Sequence, residues 1–132
     1  VFVQCAKCSA QEFERFPAER QTFLWKGSFP VQIMVPLTLT RCSVCETLLR
    51  PKSEIHLIER AIQRSIPMYF RSMLRQLEKH GLHFDAISRR AKIGKRALKA
   101  YFEDSSTEPD PEHYRRVIKL NKDMTRKAQA IA

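Results

Sequence analysis

The four cysteines of this chain fall in two C-x-x-C pairs, Cys5-Ala6-Lys7-Cys8 and Cys42-Ser43-Val44-Cys45. Two intervening residues make a tight knuckle that turns both thiolates toward one point. Two knuckles supply four sulfurs. That set satisfies a tetrahedral zinc ion and leaves no open position for substrate or activated water. The chemistry implied is structural, because in so small a module metal-binding free energy becomes folding free energy. Redox dithiols are the rival, yet no thioredoxin-like βαβ pattern surrounds either pair. Iron accepts the same ligands, so the ligand set alone does not exclude it. His56, His80, His83 and His113 are scattered, and none is needed to complete the site.

A second group of residues points to a polyanion. Residues 89–99 hold Arg89, Arg90, Lys92, Lys95, Arg96 and Lys99 and no acid. The net charge of +10 is unevenly spread. Residues 1–50 carry 6 Lys+Arg against 4 Asp+Glu, and residues 51–132 carry 18 against 10. A strongly basic segment beside a near-neutral one suits nucleic acid. A solvated basic face is the plainer alternative.

The elements that must position these residues differ between the two halves. Phe13 to Phe16, Thr22 to Lys26 and Val31 to Thr40 read as strands, with a turn at Gly27-Ser28, and Pro30 and Pro36 confine the last run to an edge or break it. Beyond Cys45 the period becomes helical. Ser53 is a cap for a helix bearing Ile55, Ile58 and Ile62, which Pro67 ends or kinks. A second helix is expected from about Met68 to His80, with Gly81 as its stop. Phe84, Ile87 and Ala91 mark a short helix, and Ile93-Gly94 a tight connection. Leu98, Tyr101 and Phe102 mark the buried side of the next helix, and Asp110-Pro111 starts the last, which frays after Met124. The expected fold class is α+β: a small zinc-ribbon β module over residues 1–50, a helical connector over 51–67, and an all-α helix-turn-helix bundle over 68–132 that suits DNA binding.

Within that bundle, residues 83–103 match a helix-turn-helix. On the second helix Lys95, Arg96, Lys99, Ala100 and Glu103 lie opposite the apolar side. A recognition helix needs such a face to enter the major groove. Arg96 and Lys99 suit base edges. Arg89, Arg90 and Lys92 suit phosphates, which position without specifying.

Together the halves resemble the MqsA-type antitoxins, in which a YgiT-type zinc finger precedes an XRE-family helix-turn-helix domain. Thr22-Phe23-Leu24-Trp25-Lys26-Gly27, the strand up to Leu39 and Cys42-Ser-Val-Cys45-Glu46 carry the finger half of the resemblance; Phe70 to Pro109 carry the other. The chain departs from the pattern at Phe84, where Gln is usual, and at Lys92, where Gly is usual. Arg96 and Ala100 also replace other polar and basic side chains. The resemblance implies a homodimer through the C-terminal half that binds an inverted-repeat operator in double-stranded DNA and represses its own operon. It also implies a toxin held by the zinc half. For that partner the residues offer only an aromatic cluster, Phe2, Phe13, Phe16, Phe23, Trp25 and Phe29, which the small finger needs first for its own core.

A stand-alone phage or mobile-element regulator shares every DNA feature. An RNA-binding zinc-ribbon protein would stack bases on aromatics amid basic charge, but here the two lie in different halves. No nucleophile triad, phosphate loop or paired carboxylates with a nearby His suggest an enzyme. No signal-peptide or membrane-spanning run is visible, so the expected setting is the cytoplasm, where thiols stay reduced. Two independent halves would let Cys42→Ser unfold residues 1–50 while sparing DNA binding by residues 66–122.

Overall fold

The computed structural model describes residues 4–49, 52–104 and 106–131. The order is β1 (Phe13–Pro17), β2 (Thr22–Trp25), β3 (Phe29–Gln32), β4 (Thr38–Cys42), α1 (Lys52–Lys79), α2 (Phe84–Ala91), α3 (Lys95–Glu103) and α4 (Pro111–Ile131). The α+β class holds, with the strands first and four helices after them.

β1 and β4 pair antiparallel from Phe13↔Cys42 to Pro17↔Thr38. That register places the first knuckle, just before β1, beside the second, at the end of β4. β2 and β3 form a separate hairpin from Thr22↔Gln32 to Trp25↔Phe29. Its turn has φ of 52° at Lys26 and 75° at Gly27, the two positive values a tight primed turn requires. The run 31–40 is broken, one of the two outcomes its prolines allow, and is divided between β3 and β4. Between them Ile33 N–H donates to the Gln21 carbonyl, and Arg20 and Ala18 donate to the carbonyls of Ile33 and Leu37. The chain thus leaves one sheet and enters the other around Pro36.

α1 is one continuous helix of 28 residues, not two helices split at Pro67. An interior proline costs roughly 3 kcal/mol through its lost N–H and its clash with the preceding turn. Packing on both sides offsets that cost. Ile58 and Ala61, before the proline, are buried against the finger; Phe70, Met73, Leu74 and Leu77, after it, are buried in the bundle. The Ser65 hydroxyl, fully buried two residues before Pro67, accepts the Met34 N–H at 2.9 Å. Ser53, expected as a cap, already lies inside the helix, and its side chain is outside the described set.

α1 ends at Gly81 (φ 90°), where Leu82 N–H reaches the Leu77 carbonyl and Gly81 N–H that of Glu78. This is the paired bond pattern of a glycine-terminated helix. α4 starts as its sequence predicts: the Asp110 carboxylate accepts the Glu112 N–H at 2.9 Å. It runs on to Ile131, past the expected fraying point at Met124.

The apolar side chains form two clusters. Ala18, Phe23, Ile33, Leu37 and Leu39 meet Ile58 and Ala61 of α1. Trp25 and Val31 instead join Ile66, Phe70, Leu74, Ile87, Leu98, Tyr114 and Val117 in the core of the helices. Hence the β2–β3 hairpin contributes to both cores. Of the aromatic cluster, Phe23 and Trp25 are buried and Phe13, Phe16 and Phe29 half-buried; Phe2 lies outside the described residues. No helix among the described residues is long and apolar enough to cross a membrane.

Candidate metal centre and nucleic-acid interface

Cys5, Cys8, Cys42 and Cys45 converge, with all four sulfurs within 4.8 Å of one another and none in a disulfide. Cys5 lies 3.5 Å from Cys45, and Cys8 3.5 Å from Cys42. Zinc–sulfur bonds of about 2.3 Å put tetrahedral sulfurs about 3.8 Å apart, so the cluster is sized for one ion.

The two knuckles are built alike. Cys5 N–H bonds to the Ala10 carbonyl at 2.9 Å, and Ser9 N–H to the Cys5 carbonyl at 2.8 Å. In the second knuckle Cys42 N–H bonds to the Thr47 carbonyl at 2.9 Å, and Glu46 N–H to the Cys42 carbonyl at 3.0 Å. The residue after each second cysteine is left-handed, Ser9 at φ 62° and Glu46 at φ 61°. A side chain there costs about 1 kcal/mol or more, so closing each knuckle carries local strain that a bound metal offsets.

Hydrogen bonds prepare these sulfurs for negative charge. Cys45 accepts from the Thr47 hydroxyl at 3.0 Å and from its amide, and its thiol is held down at about 6. The amides of Cys8 and Lys7 lower Cys5. The Ala10 amide also favours the Cys8 thiolate, but the crowding sulfurs of Cys45 and Cys42 outweigh it and push that thiol up to about 12. Four sulfurs this close cannot all ionise unaided, and a cation is what resolves the conflict.

α2 and α3 make the second site. Lys92 caps α2 in the left-handed conformation, φ 54° and ψ 47°, and Ile93 N–H closes back on the Ser88 carbonyl at 3.0 Å. Ile93 is buried as the pivot of the turn. Ile87, Ala91, Leu98 and Tyr101 face the core. Arg89, Arg90, Lys92, Lys95, Arg96, Lys99 and Ala100 are all exposed. Phe102, expected on the buried side, is only half-buried and packs on Phe84, with Arg75 over its ring. Lys95 pairs with Asp85 at 3.3 Å, and Lys99 with Glu103 at 4.0 Å. Such exposed pairs are worth at most about 1 kcal/mol and yield readily to a phosphate.

α3 is held in place by its own tyrosine. The Tyr101 hydroxyl lies 2.9 Å from His113 Nδ1 and accepts the Asp110 N–H at 3.2 Å. Sequence reasoning missed two features. The Arg15 guanidinium and the Thr40 hydroxyl both donate to the buried Glu54 carboxylate, at 3.2 and 3.1 Å, tying the β1–β4 sheet to α1. Arg116 of α4 donates to the Lys92 carbonyl at 3.1 Å and braces the turn. Neither is visible without knowing which strands pair and where α4 packs.

The chain matches no known protein-family model, no curated protein and no solved structure. Fold and site therefore define its class: a small α+β protein with four clustered cysteines able to hold a metal ion and a helix pair compatible with helix-turn-helix architecture. The resemblance to MqsA-type antitoxins stands on the residues alone.

Proposed function

We propose that this protein is a DNA-binding transcriptional repressor whose four-cysteine centre holds a structural zinc ion. The observation that carries the reading is the exposed run of six cations and Ala100 on α2, the turn and α3, presented by a rigid helix pair whose other face is core. Lys95, Arg96, Lys99 and Ala100 lie on the outer side of α3, where a recognition helix meets base edges. Arg89, Arg90 and Lys92 lie where phosphates run. Zinc is the metal favoured by four converging thiolates.

The resemblance extends the proposal. In that reading the chain acts as a dimer through its C-terminal half, silences its own operon and holds a toxin through the finger. A stand-alone regulator is the second reading and shares the DNA surface.

Selection from a random duplex pool tests the proposal. Enrichment of an inverted repeat with half-sites about one helical turn apart, ~34 Å, supports a dimeric repressor. Recovery of no preferred sequence contradicts it.

A further inference from the structure

Beside the helix-turn-helix lies a cleft of about 350 Å³ between the α2–α3 turn and α4. Arg90, Lys92, Arg115, Arg116 and Lys119 line it, with Asp123 as the acid in its wall. Glu112 partly neutralises it by pairing with Arg115 and Arg116. Lys92 and Lys119 have no ion-pair partner among the described residues and are exposed. The cleft continues into a second hollow shared by Arg90, Asp123, Arg126 and Lys127. Two contacts border it: Arg116 donates to the Lys92 carbonyl at 3.1 Å, and the Arg90 guanidinium lies 3.6 Å from Met124 Sδ.

We propose that this cleft seats the sugar-phosphate backbone of duplex DNA, so that the protein's footprint runs past the recognition helix onto α4. The inference rests on the DNA-binding reading above. Its chemistry is that of a backbone site. Guanidinium forks and unpaired ammonium groups take phosphate oxygens, and a cleft this open and polar offers nothing to read a base. Arg90 of α2 and Lys92 of the turn belong to the helix-turn-helix face and to the cleft alike, which makes the two surfaces continuous. On α4, Arg115 and Lys119 stand one turn apart, and both are exposed.

The test is the salt dependence of binding to a random-sequence duplex, read by fluorescence anisotropy with the full zinc-loaded chain. Each phosphate contact contributes about 0.9 to the slope of log affinity against log salt. Arg115→Gln with Lys119→Gln should lower that slope by about 2. Arg60→Gln with Arg64→Gln, an equal charge change on the exposed side of α1, should leave it unaltered. Lys119→Gln alone, which breaks no ion pair, should lower it by about 1. An unchanged slope in the cleft variants, with duplex binding intact in the unaltered chain, overturns the cleft and leaves the recognition helix standing. Equal losses in the cleft and α1 variants also overturn it, because net charge would then be the cause. Failure of the unaltered chain to bind any duplex overturns both readings.

Discussion

The Tyr114 hydroxyl, on α4, donates a 2.6 Å hydrogen bond to the Pro30 carbonyl on β3, joining the last helix to the finger's hairpin across 84 residues of chain. The ring is fully buried among Trp25, Phe29 and Phe70, its centroid 5.3 Å from that of Trp25. Burial pushes the phenol well above its usual pKa, so it remains a donor at every physiological pH. Tyr114→Phe keeps the ring and removes the donor. The expected cost is about 1–2 kcal/mol, read as a lower midpoint in urea with an unchanged slope. No loss would mean that the hairpin is held by packing alone.

Trp25 is the chain's one tryptophan, and it sits where finger and bundle meet. Stripping the metal with a chelator should therefore shift Trp25 emission and also lower the melting temperature of the helical signal. The expectation from sequence, that losing a cysteine spares residues 66–122, treats the halves as independent. The shared core argues otherwise: Trp25 and Val31 are wall residues of the bundle. Loss of about 1–2 kcal/mol there corresponds to roughly 4–7 °C in a chain of this size. Unaltered emission and an unaltered helical melt would restore independence.

Thr47 supports the metal centre from outside it. Its hydroxyl lies 3.0 Å from Cys45 Sγ and helps hold that thiol at about 6, against an ordinary value of 9.0. A depressed thiol stabilises the folded, thiolate form above its ordinary value, and the benefit fades as pH falls through about 6. Thr47→Val should weaken metal affinity about tenfold, the low end for groups behind a ligand, and move acid release of the metal to higher pH. Competition with a coloured chelator across pH measures both. An unchanged release curve would show that the amide alone suffices.

Lys92 lets fold and ligand be separated. It occupies the left-handed position at which the turn would prefer glycine. Relief of that strain, less the entropy glycine adds to the unfolded chain, makes Lys92→Gly more stable by about 0.5–1 kcal/mol. The same change removes a cation from the proposed DNA surface, so duplex affinity should fall while thermal stability rises. A parallel fall in both would mean the lysine side chain packs structurally.

The legible features are those whose information is local. Cysteine spacing announces the metal site because two residues suffice to close a knuckle. Asp110-Pro111 announces α4 because cap and first turn are adjacent. The apolar stripe around Ile87, Leu98 and Tyr101 announces the helix pair. Pro67 misleads because its local penalty is outweighed by cores that only the tertiary fold assembles. Pro36 marks a possible break in the Val31–Thr40 run, but strand propensity is blind to the change of sheet that follows it. The Arg15–Glu54 link depends on the β1–β4 register. The cations of α4 read as an ordinary solvated face until α4 is placed beside Lys92.

A gel-shift titration on the DNA upstream of the protein's own gene, at two salt concentrations with random duplex as competitor, tests the central claim most directly. Tight binding that resists random-duplex competitor at both salt concentrations is expected, and Arg96→Ala with Lys99→Ala should abolish it while leaving random-duplex binding largely in place. Weak binding that collapses with salt, equally for both duplexes, would contradict it and reduce the basic surface to non-specific attraction.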